Sequence, residues 1–307
     1  MMRRTIARAK SAAKLAFGLG KPRHHMLVYP DDVFVVSYPK SGNTWTRFLI
    51  ANLICPQEPA SFANIDRIVP EPEELTRREL DRLARPRILK THRYFDPRYQ
   101  QVIYVTRDPR DVVVSLYYYF RRQRNIGDDV SIEQFVTRFL AGLPEHLPRE
   151  YASSWTQNVS SWIVTRFGQP DFLLLRYEDL LSDTTANLKK IALFLGIRAT
   201  AEQLAQAVER SSADEMRKLE RSPAADALCL RNSSQGLRNP RQDIPFVRTA
   251  RAGNWKSELS QESIAELEAA LGPLMRWLGY ELITSNQFDS PHGHFLDAVG
   301  GRAPEVP

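Results

Sequence analysis

The stretch VFVVSYPKSGNTWTRFLIANLI, Val33 to Ile54, decides the fold class. Val33, Phe34, Val35 and Val36 form a β-branched and aromatic run that reads as a short buried strand. Trp45, Phe48, Leu49 and Leu53 then recur at helical spacing. Between them, Lys40-Ser41-Gly42-Asn43-Thr44 puts a permissive glycine, two hydroxyls and a cation at the mouth of a helix. Unpaired backbone N–H groups at a helix N-terminus point at an anion, and the helix dipole and the lysine favour its charge. A plain strand-to-helix turn with a solvated Lys40 is the alternative reading of these residues taken alone. The stretch is not the nucleotide-triphosphate P-loop, in which the lysine follows the second glycine; here it precedes the glycine. The only Gly-Lys pair, Gly20-Lys21, runs into Pro22 and has no strand before it.

Outward from this unit, strands and helices alternate, which predicts a parallel sheet covered on both faces. Glu71 to Ala84 reads as a charged surface helix begun near Pro72. Arg87 to Thr91 and Gln101 to Thr106 read as strands. Asp108 is the expected N-cap of a long helix, with Pro109 at its first position and Asp111 in its first turn. Val112, Ser115, Leu116 and Tyr119 share one face of that helix. Ser131 to Ala141 and Tyr151 to Phe167 are expected helices, and Asp171 to Leu175 is an expected strand. Helical patterns fill Thr184 to Leu195, Thr200 to Leu219 and Ser260 to Leu278. Residues 221–254 lack periodicity, and such long irregular stretches are functional or disordered. The expected organisation is a basic tail over 1–25, one α/β domain over 26–284 and a poorly ordered tail over 285–307.

Composition bounds the function classes. The chain has 307 residues, 43% hydrophobic and 25% charged, in the ordinary globular range. No apolar run approaches the roughly 18 residues of a membrane span, and no secretory leader pattern is present. Two cysteines, Cys55 and Cys229, make no disulfide framework, so a reducing cytoplasm is the expected compartment. Seven cations fall within residues 1–23 with no acid before Asp31, so the net charge of +6 minus those seven leaves −1 for the rest. Diffuse nucleic-acid binding is therefore not expected. The basic tail either lies on an anionic membrane surface or is simply solvated.

Three further clusters carry chemistry. In PRILKTH, Pro86 to His92, a histidine ends a parallel strand, where open α/β sheets bind ligands. Its imidazole can accept a hydroxyl proton near neutral pH, and Lys90 points to the same side of the strand; taken alone, a surface histidine in a loop is the plainer reading. In VIYVTRDPRDVVVSLYYYF, Val102 to Phe120, Arg107 closes a strand where its guanidinium can grip a phosphate. Asp108 could instead be the magnesium-holding acid of an NTPase, but an N-cap before Pro109 explains it better. RTARAGNWK, Arg248 to Lys256, sets Arg248, Arg251 and Lys256 around a glycine and a tryptophan.

Taken together, SYPKSGNTW, PRILKTH, YVTRDPRDVVVSLYYY, RYEDL and GNWK resemble, in order, the cytosolic-type sulfotransferases that use 3′-phosphoadenosine 5′-phosphosulfate (PAPS). The resemblance covers about Val33 to Leu278 and implies a P-loop-NTPase-like architecture. It implies that Lys40, Ser41, Gly42, Asn43, Thr44 and Trp45 hold the 5′-phosphosulfate, with Trp45 near the adenine. It implies that Arg107 and Ser115 hold the 3′-phosphate, that Tyr177 approaches the nucleotide, and that Arg248, Thr249 and Ala250 flank the 3′-phosphate. His92 matches the catalytic base; Lys40 would stabilise the leaving phosphate and Lys90 the sulfuryl oxygens. The product would be adenosine 3′,5′-bisphosphate (PAP), with no metal required. The acceptor would be a hydroxyl-bearing molecule of open class: small alcohol or phenol, glycan, or lipid. Three positions depart from the pattern. A lysine and a glycine of the arginine-lysine-glycine loop are Thr249 and Ala250, with Arg251 as a substitute charge, and an adenine-packing phenylalanine is replaced near Ala213. The family's dimer signature is poorly kept in Lys256 to Ala265, so the oligomeric state stays open. A P-loop kinase and a non-catalytic nucleotide-binding pseudo-enzyme are the alternatives.

Overall fold

The computed structural model describes residues 26–143, 154–222 and 241–284. The two tails, Cys229 and the segments 144–153 and 223–240 lie outside the described residues, so the expectations for them stand as sequence readings.

Four parallel strands form one sheet in the order β2-β1-β3-β4, with β1 Val33–Ser37, β2 Ile88–Thr91, β3 Gln101–Thr106 and β4 Phe172–Arg176. β1 pairs with β2 on one side, Val36 opposite Thr91, and with β3 on the other, Ser37 opposite Val105. All four carboxyl ends therefore share one edge. The connection from β2 to β3 crosses over β1, so the crevice where ligands enter such sheets opens between the ends of β1 and β3.

Alternation along the strands feeds two cores, because successive side chains point to opposite faces. Phe34, Val36, Val102 and Tyr104 face one core. It is shared with α4 Pro109–Arg122, α5 Ile132–Ala141, α6 Trp155–Arg166 and α12 Gln261–Trp277. Val33, Val35, Ile103 and Leu175 face the other. That face is covered by α1 Asn43–Ile54, α8 Thr184–Phe194 and α9 Ala201–Arg210. No helix among the described residues is long and apolar enough to cross a membrane.

Local capping chemistry redraws two expected helices. The span from Glu71 to Ala84 is not one helix. A 3-10 turn covers Pro72–Glu74, Leu75 is extended, and Thr76 with Glu79 makes a capping box that starts a separate helix, α3 Arg77–Asp81. The span from Thr200 to Leu219 breaks at Ser211, because Ser212 caps a new helix, α10 Ala213–Glu220. Three short helices carried no periodic signal: α2 Ile65–Ile68, α7 Tyr177–Ser182 and α11 Trp255–Glu258.

Candidate active site

The loop after β1 leaves polar groups without protein partners. α1 starts at Asn43 with Gly42 as its N-cap, no side-chain cap bond and no acid in the first turn, so its first N–H groups are unsatisfied by the helix itself. The Ser41 hydroxyl is fully buried and has no protein partner. Such an orphaned donor is what an incoming phosphate oxygen satisfies. Gly42 has φ 97°, and a Cβ there would sit 2.5 Å from Tyr177 Cδ2, so both backbone and space demand glycine. Asn43 turns its side chain back to the sheet, donating to the Val35 carbonyl and to Ser37 Oγ, each at 3.2 Å. It offers the loop only its backbone, and Thr44 is half-buried beside it.

Arg107, at the end of β3, ties this loop to the rest. Its guanidinium donates to the Lys40 carbonyl and to the Arg251 carbonyl, both at 3.2 Å, and lies 4.4 Å from the Tyr177 ring centre. Tyr177 in turn meets Trp45 edge-on at 5.6 Å, and the Trp45 indole N–H donates to the Ser211 carbonyl at 2.9 Å. The helix break at Ser211 thus fixes Trp45. Ser115 sits half-buried on α4, the helix that Arg107 precedes.

The segment 246–255 has almost no regular structure and is braced from outside. Arg217 on α10 donates to the carbonyls of Val247, Arg248 and Thr249 at 3.2–3.3 Å. Glu220 accepts the N–H groups of Phe246 and Val247. Asp111, buried on α4, accepts from Gly253 N at 2.7 Å and Trp255 N at 3.1 Å. Arg248 bonds Glu258 at 2.6 Å and stacks 4.4 Å from the Tyr118 ring, while the Thr249 hydroxyl accepts from Asn254. Ala250 holds φ 51°, so the left-handed backbone is kept without a glycine. Arg251 is exposed.

His92 follows β2 with its Nδ1 2.7 Å from the Ser37 carbonyl oxygen. A carbonyl can only accept, so Nδ1 carries the hydrogen and Nε2 keeps its lone pair. Burial, and then the charge of Lys90, push the imidazole well below its ordinary value. It is therefore neutral at neutral pH, the form a general base requires. Asn158 on α6 bonds the His92 carbonyl at 2.9 Å and accepts from Tyr104 at the same distance, holding the residue in place. Lys90 is not a bare cation: its ammonium pairs with Glu71 at 2.6 Å, and its backbone N–H bonds the Pro70 carbonyl.

Charge and its partners decide two other assignments. Burial first, then Arg107 and Arg122, push the Lys40 ammonium down to about 7. Asp108 is no candidate for holding a cation. Its carboxylate caps α4 and is gripped by Arg110 through contacts of 2.6–3.2 Å.

The sheet edge thus brings together Lys40 to Trp45, Arg107, Tyr177 and the segment from Arg248 to Ala250. His92 and Lys90 stand at the neighbouring strand end. No site role was legible in the sequence for the bracing residues Arg217, Glu220, Asp111, Glu71 and Asn158. Each brace acts across a long separation in sequence, so no local period marks it.

Comparison with known proteins bears on the family and the fold. A family model for the sulfotransferase domain matches residues 30–279. Sulfotransferase 2B1 of Mus musculus is 31% identical over 79% of this chain and 70% of its own length. Sulfotransferase 1E1 of Bos taurus is 27% identical over 75% of this chain and 79% of its own. Among solved structures, mouse sulfotransferase SULT7A1 complexed with PAP superimposes with a TM-score of 0.60 at 24% identity, covering 82% of this chain and 86% of that one. Retinol dehydratase in complex with androsterone and PAP gives 0.63 at 20% identity, covering 87% and 84%. Those two likenesses speak for the fold. Carried by the domain match and the 31% identical relative, the conclusion is that this chain belongs to the sulfotransferase family.

Proposed function

We infer that the protein transfers the sulfuryl group of PAPS to an acceptor hydroxyl by in-line displacement. The observation that carries this reading is Arg107, which bonds the Lys40 carbonyl with one arm and the Arg251 carbonyl with the other. It links an uncapped helix N-terminus to a second cation-bearing segment. A nucleotide with an anion at each end matches that spacing of functions better than a triphosphate chain. The PAP complexes of the structural relatives support the same donor.

In this reading the α1 N-terminus, the Ser41 hydroxyl and Lys40 take the 5′-phosphosulfate. Arg107, Ser115 and the Arg248 to Ala250 segment take the 3′-phosphate, and Trp45 and Tyr177 line the adenosine. His92 Nε2 accepts the acceptor's proton as its oxygen attacks sulfur, and the S–O bond to the phosphate breaks. Lys40 stabilises the charge growing on that leaving oxygen. Lys90, pinned by Glu71, faces the sulfuryl oxygens. This is positioning plus fixed electrostatics. A sulfuryl group carries less negative charge than a phosphoryl group, so two lysines and backbone donors suffice for it. The acceptor is a hydroxyl-bearing molecule, and peripheral membrane contact through residues 1–25 belongs to the same proposal.

The test supplies PAPS and a panel of phenols, steroids, glycans and lipids, and reads sulfated products and PAP by mass spectrometry. Formation of PAP together with a sulfated acceptor is expected. Binding of ATP with magnesium but not of PAP would contradict the reading.

A further inference from the structure

The lysines of the site are held in two different ways. Lys90 is paired with the Glu71 carboxylate at 2.6 Å. Lys40 makes no ion pair among the described residues; its ammonium lies 4.5 Å from the centre of the Tyr119 ring and 4.5 Å from that of Phe246. Phe246 is backed by Phe62, edge-on at 5.9 Å, and Phe62 by Phe48 at 5.1 Å. The two rings come from elements placed beside the nucleotide. Tyr119 is one turn beyond Ser115 on α4, and Phe246 stands two residues before Arg248 in the braced segment.

The groups facing Lys40 are mostly hostile to its charge. Arg107 at the end of β3, Arg122 on α4 and Arg248 oppose it, and only Glu220 on α10 favours it. A carboxylate within reach would stabilise the ammonium but would cancel the charge that an anionic donor needs. A ring face attracts a cation through its quadrupole while leaving the net charge in place.

We propose that Tyr119 and Phe246 are positioning residues for Lys40, clamping its ammonium between ring faces so that it meets the phosphosulfate end of the donor unneutralised. The role toward the donor rests on the reading of function above; the clamp itself does not. The lysine's low proton affinity fits a clamp that offsets only part of the desolvation.

Trace acetic anhydride labelling of the nucleotide-free protein across pH, read by peptide mass spectrometry, measures the midpoint of Lys40 directly. The wild type is expected to titrate at about pH 7. Tyr119→Leu and Phe246→Leu keep the burial and remove the ring face, so each should lower the midpoint by about half a pH unit or more. Tyr119→Phe keeps the ring and should leave it unmoved. Phe246→Ala admits water and should raise it. Leucine variants that leave the midpoint unmoved or raise it would overturn the clamp. A merely structural role for the rings would not produce opposite shifts for leucine and alanine. A second measurement titrates PAP calorimetrically in two buffers at pH 7. Wild type should take up about half a proton more than Lys40→Met. If PAP does not bind while the labelling pattern holds, the donor reading fails and the clamp stands. If PAP binds with equal proton uptake in both proteins, Lys40 does not meet the donor as proposed.

Discussion

The two loops of the site are made rigid by opposite means. The loop from Tyr38 to Trp45 draws its shape from its own sequence: a buried strand, a glycine at φ 97° and a helix that starts without a cap. The segment from Phe246 to Trp255 has little structure of its own and borrows it from Arg217, Glu220 and Asp111. The first loop carries its strain inside, with Lys40 at φ 66° and a desolvated ammonium. The second carries a single left-handed alanine. A change inside the first loop should therefore damage fold and binding together. A change to a brace of the second should damage binding and spare the fold.

The largest effect is expected for Gly42→Ala. Its Cβ would stand 2.5 Å from Tyr177 at a φ that disfavours side chains. Strain and overpacking together should cost about 2 to 5 kcal/mol, read by denaturant unfolding, with PAP binding lost.

Lys40→Met should do the reverse for stability. The folded ammonium is held at about 7 against an unfolded value near 10.5. Its cost is therefore fully present below pH 7 and fades as pH rises toward the unfolded value. The variant should be more stable by about 1 to 3 kcal/mol at pH 7, with the gain shrinking toward pH 10, while turnover is lost.

Arg217→Met removes three bonds to the second loop. PAP affinity should fall about tenfold, because the unbraced segment must then be ordered on binding, with little change in melting temperature because it opens locally. An equal loss of stability and affinity would erase the distinction between the loops. The smallest effect belongs to Ala250→Gly, which relieves the residue at φ 51°. Stability should rise by less than about 1 kcal/mol, and PAP affinity should hold.

The same division explains what the sequence disclosed. β1, β3, α4 and α12 were legible because their apolar period and caps are local, as with Asp108 before Pro109. The glycine turn into α1 was legible for the same reason. The break at Ser211 was not, because its value lies in accepting the Trp45 indole N–H from a helix 166 residues away. Glu71 read as one more charge on a surface helix, whereas it pairs with Lys90 across to β2. Asp111 read as a helix-dipole partner, whereas it holds two N–H groups of the distant segment. What the chain does at a distance has no period.

His92→Ala tests the central claim most directly, with PAP binding and PAPS turnover measured on the same preparation. The lone pair on Nε2 is the only part of the machinery that this change removes from the reacting end. Nucleotide affinity should stay within about twofold, and turnover should fall by about two to four powers of ten. Turnover equal to that of the wild type would contradict the assignment of the base and, with it, the mechanism.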